Sequence, residues 1–595
     1  MEKILVIDFG SQTSHLIARR IRTVGVFSEI VEPSRAMDFN GVKGIIFSGS
    51  PYSVYEKNAP TIGKSVFGLS LPILGLCFGH QLLGQMLGGR AGKGKREFGR
   101  AELEIKNHQL LFDGFGEKEI VWMSHGDIVE KLPKGFQVIA STKECENAAI
   151  ADFARKIFGL QFHPEVSHTK NGLKILENFV VKVCNCKREW TMGKYVGEKQ
   201  REIVKAVGNK NVFMLVSGGV DSTVALALLS KALGRERIAA LHVDTGFLRE
   251  NESKKIMDKI NSLGFCELHF VNASKEFFSA LKGVIDPEEK RRIIGETFIE
   301  VQKKEFEKIG FSTNEWLLGQ GTIYPDTIET AGTRYAAKIK THHNRIPAIK
   351  EMIQEGRLIE PLSQLYKDEV RELGKELGIE KILLERQPFP GPGLAIRALC
   401  SDGRQEELST LNLKANDCIR GYNFIARLLP VKSVGVQGDY RSYAHPCLLT
   451  GFLDWEEIEK ASTRLTNEIR EINRVLFAIE PKRIERISCK RAFLTKERIE
   501  RLRQADSIAM QAIEEHSLAE KIWQFPVVLL PIEVNGRGEA IVLRPIESRE
   551  AMTARFHSLP EEILKEISEK ILKVPGINAV FFDATHKPPA TIEWE

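Results

Sequence analysis

The segment ILGLCFGHQ, residues 73–81, places Cys77 between two glycines where an apolar run meets a helical pattern. The run Ile73–Leu76 is short, branched and uncharged, which is typical of a buried strand, and Gln81–Leu87 has the apolar spacing of a helix. Glycines on both sides of a cysteine allow a sharp strand-to-helix turn that projects the thiol. The free N–H groups of such a turn and the helix N-terminus favour a thiolate and a developing oxyanion. We therefore predict a nucleophile turn in a parallel α/β sheet.

Similar apolar runs occur before and after this turn, at Ile4–Ile7, Gly44–Phe47 and Ile157–Phe162. Each is bounded by turn residues, so we predict that they are further buried strands of the same sheet. The segment Cys184–Gln200 is instead charged and polar, and we place a linker there. Residues 1–187 are therefore predicted to be the first domain.

The last of these runs leads directly into His163 and Glu165. In an extended segment, residues two apart point to the same side, so the side chains of His163 and Glu165 can face the same way. A base within reach of the thiol, with a carboxylate that orients the imidazole, completes a nucleophile, base and orienter. We predict that Cys77, His163 and Glu165 form one catalytic site.

These segments resemble the class I glutamine amidotransferase family over residues 1–187. The resemblance implies that Cys77 attacks the glutamine carboxamide, that His163 is the general base and acid, and that Glu165 orients it. The segment Ser48–Pro51 is similar to the oxyanion loop of the family, in which a glycine usually stands at the position of Ser50. If that position requires a positive φ, a serine there would be strained. The resemblance further implies contacts to glutamine or its oxyanion from Gly49, Phe78, Gln81, Ser124, His125 and Asp127.

A second α/β unit begins with the predicted strand Val212–Val216, followed by SGGVDST at residues 217–223. A helix over 222–233 and a strand over Ile238–Val243 complete a βαβ pattern typical of a parallel sheet. Successive N–H groups of a glycine turn at a helix N-terminus can cradle an anion. No Gly-Lys-Ser/Thr follows at Walker A spacing, so the loop is better suited to pyrophosphate as a leaving group.

This loop resembles that of the N-type ATP pyrophosphatases, which have an adenine nucleotide alpha hydrolase-like fold. The resemblance implies a synthetase domain at residues 188–387 in which ATP is split between its α- and β-phosphates. Mg²⁺ is expected with ATP, with Asp221 as a candidate ligand, and no prosthetic group is expected. The implied ATP-binding residues are Ser217, Gly218, Gly219, Val220, Asp221, Ser222 and Thr223.

Residues 388–595, which begin with the rigid stretch PFPGPG, carry an internal repeat. The sequence LLPV at 428–431 recurs as LLPI at 529–532, and Ile472–Phe477 is similar to Ile577–Phe582. A helix-like charged stretch precedes the second motif of each copy, at 455–471 and 560–573. We predict two copies of a small α+β module, packed as a pseudo-dimer.

Four segments resemble the glutamine-hydrolysing GMP synthase family: 288–295, 388–397, 435–439 and the terminal KPPATIEWE at 587–595. The duplicated module is similar to the longer form found in eukaryotes. A terminus commonly frays, but a proline-restricted tail with a cation and a carboxylate can also close over a purine nucleotide. The resemblance implies contacts to xanthosine monophosphate (XMP) from Arg291, Asp439, Gln524, Lys587 and Glu593. Gln387 stands where the family usually has histidine, and we assign it no role.

The combined resemblance implies an ATP-dependent carbon–nitrogen ligase of purine nucleotide biosynthesis. Glutamine would supply ammonia, XMP would be adenylated at its C2 oxygen with release of pyrophosphate, and ammonia would displace AMP to give GMP. Three alternatives stay open: another adenylating amidotransferase similar to NAD synthetase, a tRNA-thiolating enzyme, and a sensor that keeps the fold without chemistry. The intact Cys77, His163 and Glu165 argue against the sensor.

Composition limits the partners and the compartment. The 85 basic and 79 acidic residues give a net charge of only +6, which argues against a nucleic-acid partner. No stretch approaches the roughly 18 apolar residues of a membrane span, and the nine cysteines include no CxxC pair. We expect a cytosolic enzyme with XMP, ATP and glutamine as substrates, either a homodimer or a monomer with an internal pseudo-dimer.

Overall fold

The computed structural model describes residues 2–11, 13–34, 38–312, 314–324, 326, 357–384, 387, 389–437, 440–548 and 553–595. One compact unit holds the chain up to Lys199, and a second holds Gln200–Ile323 together with 357–595. No helix within the described ranges is long and apolar enough to cross a membrane. The predicted domain boundaries after residues 187 and 387 stay predictions.

A nine-stranded sheet forms the centre of the first unit. Its strands are β1 Lys3–Ile7, β2 Phe27–Val31, β3 Val42–Phe47, β4 Ile73–Leu76, β5 Arg90–Ile105, β6 Lys118–Lys131, β7 Gln137–Ser141, β8 Ala149–Asp152 and β9 Ile157–Leu160. They lie in the order β2-β1-β3-β4-β9-β8-β7-β5-β6. The first five in this order are parallel, and the other four continue the sheet in antiparallel pairs.

The four strands predicted in this unit are the adjacent central strands β1, β3, β4 and β9, so that prediction is confirmed. Alternate residues of β1 enter two different apolar clusters, with Ile4 and Val6 in one and Leu5 and Ile7 in the other. Strands buried on both faces read as continuous apolar runs, and this made them visible in the sequence. The long strands β5 and β6 alternate exposed and buried residues, and a search for apolar runs does not detect them.

The helices of this part of the chain are α1 Ser14–Thr23, α2 Phe78–Met86, α3 Gly172–Glu177 and α4 Met192–Val207. Helix α2 follows β4 directly, with Cys77 as the residue between them. The predicted helix over 81–87 therefore begins three residues earlier than expected, immediately after the cysteine. This position places the helix N-terminus beside the thiol.

The second unit contains a five-stranded sheet in the order β12-β11-β10-β13-β14, with every neighbouring pair parallel. The strands are β10 Asn211–Leu215, β11 Ile238–Asp244, β12 Glu267–Asn272, β13 Trp316–Gly319 and β14 Leu358–Ile359. Its helices are α5 Val220–Leu233, α6 Glu252–Leu263, α7 Ser274–Ala280, α8 Pro287–Lys308, α9 Lys367–Glu376 and α10 Lys381–Leu384. The predicted βαβ pattern corresponds to β10, α5 and β11, and it is confirmed.

A seven-stranded sheet organises the C-terminal region of the same unit. The strands there are β15 Ser401–Asp402, β16 Phe424–Leu428, β17 Ser433–Gln437, β18 Tyr440–Gly451, β19 Ile472–Glu480, β20 Ile487–Cys489, β21 Arg491–Ala492, β22 Val527–Leu530, β23 Ile532–Val534, β24 Glu539–Leu543, β25 Ile546–Glu547, β26 Arg555–Phe556 and β27 Ile577–Asp583. The helices are α11 Ser409–Cys418, α12 Trp455–Glu468, α13 Lys496–Glu515 and α14 Glu561–Ile571. The main sheet has the order β16-β18-β19-β27-β24-β22, and β17 pairs with β18.

The two halves of this sheet repeat the same pairing. In the first half, β16 is antiparallel to β18, and β18 is parallel to β19. In the second half, β22 is antiparallel to β24, and β24 is parallel to β27. A helix lies between the two parallel strands of each half. The halves meet where β19 and β27 pair in antiparallel orientation. The predicted duplication and its pseudo-dimer are therefore confirmed, with α12 and α14 in the two stretches predicted to be helical.

Candidate active sites

Cys77 occupies a strained turn between β4 and α2, with φ +52° and ψ −106°. A Cβ on Gly75 would lie 2.5 Å from the carbonyl oxygen of Gly79, and a Cβ on Gly79 would lie 2.4 Å from that of Phe47. Only glycine fits at either position, because both contacts are with backbone atoms. The amide of Cys77 donates to Leu160 O at 2.8 Å, which fixes the turn to β9.

The predicted catalytic side chains lie together. His163 Nδ1 is 2.7 Å from Glu165 Oε1, and Thr13 Oγ1 donates to the same carboxylate oxygen at 2.6 Å. Burial by itself lowers the pKa of the His163 imidazole. The charge of Glu165 and hydrogen bonds with Cys77 and Glu165 outweigh burial and raise this pKa well above its ordinary value. The imidazole therefore contacts the Glu165 carboxylate and lies close enough to Cys77 for the thiol to raise its pKa.

The backbone that brings His163 and Glu165 together differs from the prediction. Strand β9 ends at Leu160, so both residues lie in the turns that follow it rather than in an extended segment. The alternation of side chains along a strand therefore does not explain their contact. Arg20 Nε donates to Glu165 O at 3.1 Å, and His163 N donates to Trp122 O at 3.1 Å, which hold this turn.

The predicted oxyanion loop follows β3 and lies beside His163. A Cβ on Gly49 would lie 3.2 Å from Ser11 Oγ and 3.7 Å from His163 Cε1. Ser48 Oγ accepts from Phe9 N at 3.0 Å and donates to Gly49 O at 2.9 Å. Ser50 does not adopt a positive φ, so a serine is accommodated there without the strain considered from the sequence.

Some of the remaining residues of the predicted glutamine site lie near the Cys77 thiol, and others are buried in the protein. Cys77 Sγ lies 3.7 Å from Ser124 O, and Gln81 Nε2 donates to Asp127 O at 2.8 Å. The ring of Phe78 is buried 5.6 Å from that of Phe9, so only its backbone is available to a ligand.

His125 is buried, with its Nε2 3.4 Å from Glu97 Oε2, and burial lowers the pKa of this imidazole. Two further residues of this region were not predicted from the sequence. Gln161 Nε2 lies 3.7 Å from Cys77 Sγ, and Gln161 Oε1 accepts from Gln81 Nε2 at 3.2 Å. Thr13, which holds Glu165, was also missed, because nothing near it in the chain marks it.

The residues of the predicted ATP loop form the turn between β10 and α5. Gly218 has φ +71°, and a Cβ there would lie 2.3 Å from Ile256 Cγ1. Helix α5 begins at Val220, and the hydroxyls of Ser222 and Thr223 both donate to Gly219 O, at 3.1 and 2.9 Å. These contacts hold the turn open at the helix N-terminus, where free N–H groups favour an anion. Ser217 Oγ lies 3.3 Å from Ser222 Oγ.

A lysine does reach this loop, from a distant part of the chain. Lys367 is the first residue of α9, and its Nζ lies 2.6 and 2.5 Å from the two carboxylate oxygens of Asp221. The residues that follow the glycine turn exclude a Walker lysine, and Lys367 was not predicted from the sequence. The only local signal is the polar stretch YKDEVR at 366–371, where a helix begins.

No group of three or more His, Cys, Asp or Glu side chains suited to a metal occurs in the part of the chain that the structure describes. Asp221 nevertheless lies in the first turn of α5, directly after the glycine turn. Carboxylate oxygens of this kind suit Mg²⁺. A metal there would have to share or displace the contact with Lys367.

The C-terminal tail is held in the protein rather than frayed, and Trp594 is fully buried. Arg397 donates to both carboxylate oxygens of Glu593, at 3.0 and 2.8 Å, and Gln524 Nε2 donates to Glu593 Oε1 at 3.0 Å. Burial raises the pKa of Glu593, but the charges of Arg397 and Arg291 and these hydrogen bonds outweigh burial and lower it. Gln524 and Glu593, both predicted from the sequence, are therefore neighbours.

Helix α8 brings two cations to the end of the tail. Asp286 caps this helix by accepting from Glu289 N at 2.8 Å. In the following turn, Lys290 Nζ lies 2.7 Å from Glu595 Oε2, and the guanidinium of Arg291 donates to the backbone carbonyl of Glu595.

The other predicted XMP contacts are placed less directly. Lys587 pairs through its backbone with Ala554, at 2.8 and 3.1 Å. Asp439 lies outside the described residues. Gln387, to which no role was assigned, donates to Ile522 O at 2.9 Å. Arg397 was missed as an individual residue, although it ends the quoted segment 388–397.

Three protein-family models match separate parts of the chain. The model for glutamine amidotransferase class-I matches residues 5–183, and the model for NAD synthase matches residues 194–293. The model for the GMP synthase C terminal domain matches twice, at residues 413–488 and 511–594, which correspond to the two copies of the repeat. A glutaminase and an ATP pyrophosphatase in one chain define an ATP-dependent glutamine amidotransferase.

Similar proteins narrow this class. A probable GMP synthase (glutamine-hydrolyzing) of Leptospira interrogans is 43% identical, covering 100% of this chain and 99% of that protein. The GMP synthase of Aquifex aeolicus is 39% identical over the same shares of both chains. That of Brachyspira hyodysenteriae is 43% identical over 81% of this chain and 98% of its own. The chain belongs to the glutamine-hydrolysing GMP synthase family. The Leptospira and Aquifex relatives match the whole of this chain, so the longer form is not restricted to eukaryotes.

Proposed function

We propose that this chain synthesises GMP from XMP, ATP and glutamine at two sites, with ammonia as the intermediate that passes from one to the other. The Cys77 site releases ammonia from glutamine, and the Ser217–Thr223 loop holds the ATP that activates XMP. The observation that carries the proposal is the contact of His163 with Glu165, near enough to Cys77 for the thiol to raise the pKa of His163, in a chain that also carries a pyrophosphatase-type loop.

At the first site, the Cys77 thiolate attacks the glutamine carboxamide carbon, and backbone N–H groups at the α2 N-terminus and the Gly49 loop face the oxyanion. His163 gives its proton to the leaving nitrogen, so ammonia departs and a γ-glutamyl thioester remains. Water then attacks the thioester with His163 as the base, which releases glutamate and restores the thiol. Glu165, fixed by Thr13, keeps the imidazole oriented throughout.

At the second site, the C2 oxygen of XMP attacks the α-phosphorus of ATP, and pyrophosphate leaves into the loop of N–H groups and hydroxyls. Ammonia then attacks C2, and AMP departs to give GMP. Lys367 is close enough to the loop to neutralise the departing phosphates, since it already contacts Asp221. Mg²⁺ would enter with ATP and supply further charge neutralisation, with Asp221 as its candidate protein ligand.

XMP is proposed to bind where the C-terminal tail meets α8 and Arg397. Glu593 is the acceptor for N–H groups of the base, Gln524 lies beside it, and Arg291 and Lys587 supply positive charge for the phosphate. Burial lowers the pKa of Arg291, and its Nε is buried without a hydrogen bond among the described residues, so an anionic ligand would complete it.

The acceptor screen is the direct test. The purified protein is incubated with ATP, Mg²⁺ and an ammonium salt while only the acceptor varies, and pyrophosphate and aminated product are measured. We expect turnover with XMP and formation of GMP. Turnover with deamido-NAD instead of XMP would favour the NAD synthetase-like alternative, and ATP cleavage with XMP without GMP would overturn the proposal.

We further propose that the enzyme works in the cytosol on small molecules alone, without nucleic-acid or membrane partners. All nine cysteines are free, which suits a reducing compartment. The pseudo-dimer inside one chain can take the place of a contact between two chains. Sedimentation or light scattering with and without XMP would determine whether the protein is a monomer or a homodimer.

A further inference from the structure

Three charged side chains are fully buried in the C-terminal sheet and form one cluster. Arg474 lies on β19, Arg544 directly follows β24, and Asp583 ends β27. Arg474 Nη1 is 2.9 Å from Asp583 Oδ2, and Arg544 Nη1 is 2.8 Å from Asp583 Oδ1. All three have exposures of 0%. One carboxylate thus serves two guanidinium groups, which leaves one buried positive charge without an ionic partner.

The C-terminal tail supplies what this cluster lacks. Arg474 Nη2 donates to Thr591 O at 2.9 Å and to Glu593 O at 2.8 Å. Arg544 Nη2 donates to Thr591 O at 3.0 Å, and its Nε donates to Ile592 O at 3.2 Å. Carbonyl dipoles of the tail therefore face the excess charge. If the tail left, Arg474 Nη2 would keep only Val434 O, at 3.2 Å, and both arginines would lose their hydrogen bonds to the tail carbonyls, which disfavours undocking.

The first copy of the module also holds the tail through its backbone. Val434 N on β17 donates to Trp594 O at 2.9 Å, and Val436 N donates to Pro589 O at 2.7 Å. Between them, Gly435 forms an antiparallel bridge with Ala590. The tail continues from the second copy, whereas β17 and Arg474 belong to the first. The tail is thus bound by the half of the repeat from which it does not originate.

Arg474 has no counterpart in the second copy. It faces Pro446 in the pairing of β18 with β19, and the residue in the same register of β24 and β27 is Ala579, which faces Ala540. Both registers shift at the same step, so the comparison of the two positions is direct. A sheet of this kind therefore forms without an arginine here, and the arginine serves a role that the repeat itself does not require.

We propose that Arg474 is a positioning residue for the nucleotide, because it holds the tail that carries Glu593, and that the first copy is thereby a working part of the XMP site. This inference rests on the proposed role of the tail in binding XMP. If only the docked tail binds XMP, a variant that undocks it has a raised KM for XMP, while saturating XMP restores docking and kcat.

Two variants test this from opposite sides of the contact. Arg474→Met removes the guanidinium and leaves Arg544 paired with Asp583. Thr591→Val keeps the shape of a tail residue but removes a hydroxyl that accepts from Arg474 at 3.0 Å and donates to Val434 O at 2.8 Å. The second variant changes no core residue, so it remains informative if the first does not fold.

Arg427→Met is the matched control. Arg427 lies on β16 of the first copy, and its Nη1 donates to Ile484 O and Glu485 O, in the segment after β19 rather than in the tail. This variant therefore also removes a guanidinium that binds carbonyl groups. It should leave the tail and the kinetics for XMP unchanged.

Two measurements are made on the full-length protein: release of Glu595 and Trp594 by carboxypeptidase Y without nucleotide, and ammonium-dependent GMP synthesis at varied XMP. We expect Arg474→Met to release the tail faster and to raise KM for XMP at least about tenfold, the effect of one lost buried hydrogen bond. Its kcat should stay near the parent value, and Thr591→Val should show a smaller change in the same direction.

The outcomes separate the two proposals. If Arg474→Met and Thr591→Val both release the terminal residues at the parent rate, the proposal that Arg474 holds the tail is wrong. Faster release with an unchanged KM for XMP would support the role of Arg474 in holding the tail. It would overturn the role of the tail in binding XMP. An equal effect of Arg427→Met would overturn the assignment to Arg474 in particular.

Discussion

Lys367 Nζ forms an ion pair with Asp221, at 2.5 and 2.6 Å from its two carboxylate oxygens, although 146 residues separate them. The contact joins the first turn of α5 to the first residue of α9. It gives the glycine loop a cation that its own sequence does not encode. The Lys367 ammonium thereby balances the charge of the Asp221 carboxylate in this structure.

Lys367→Gln should reduce XMP-dependent pyrophosphate release and ammonium-dependent GMP synthesis together, by about 10²-fold, because it removes a cation beside the departing phosphates. Initial rates of both products at saturating ATP give the measurement. Lys375→Gln is the matched control, since Lys375 is an exposed lysine near the end of the same helix. Equal losses in the two variants would mean that Lys367 has no specific role at the loop.

Cys77→Ala should abolish glutamine-dependent GMP synthesis, with a loss of at least about 10³-fold, because no thioester can form. Synthesis from added ammonium salt should stay within about twofold of the parent, since the nucleotide chemistry needs no thiol. Cys145→Ala is the control, because Cys145 is another buried cysteine of the first unit, in the loop between β7 and β8, and burial raises its pKa to about 12. Loss of both activities in a folded Cys77→Ala protein would contradict the division into two sites.

Glu165→Gln should move the alkaline limb of the pH profile for glutamine hydrolysis to lower pH. Burial lowers the pKa of His163, and the Glu165 charge and Cys77 raise it, so removal of the Glu165 charge leaves burial opposed by Cys77 alone and lowers this pKa. The imidazolium is then lost at lower pH, and the proton donor for ammonia is lost with it. The profile of kcat/KM for glutamine between pH 6 and 10 measures this shift.

Thr13→Val provides the comparison for the pH profile. It removes the hydrogen bond to Glu165 Oε1 but keeps the carboxylate charge, so the alkaline limb should move less than in Glu165→Gln. If both variants moved the limb equally, orientation rather than charge would set the pKa of His163.

Gly218→Ala should destabilise the second unit by about 2–4 kcal/mol, the sum of a positive-φ penalty and an overpacked contact. The added Cβ would lie 2.3 Å from Ile256 Cγ1. Gly219→Ala should cost less than about 1 kcal/mol, since φ there is −71° and the nearest atom is a serine hydroxyl at 3.3 Å. Thermal unfolding midpoints of the two variants give the comparison, and a similar midpoint for both would refute it.

Local patterns in the sequence determined the parallel strands at the centre of the nine-stranded and five-stranded sheets. They also determined the turns at Cys77 and Gly218 and the C-terminal repeat. Strands β1, β3, β4 and β9 are buried on both faces, so they read as uninterrupted apolar runs. The turns at Cys77 and Gly218 need glycine because neighbouring backbone or side-chain atoms leave no space for a Cβ, and such a demand is visible in a few consecutive residues. The duplication was visible because the same short motifs occur in both copies.

Only the tertiary structure decided which distant side chains complete each site. Thr13 holds Glu165 across 152 residues, Lys367 reaches Asp221 across 146, and Arg474 holds Thr591 across 117. Propensity and periodicity act over one or two turns of chain, so they carry no information on such pairs. These contacts form because sheet packing brings unrelated segments within hydrogen-bond distance, where burial makes an unpaired charge or donor costly and therefore selects a partner.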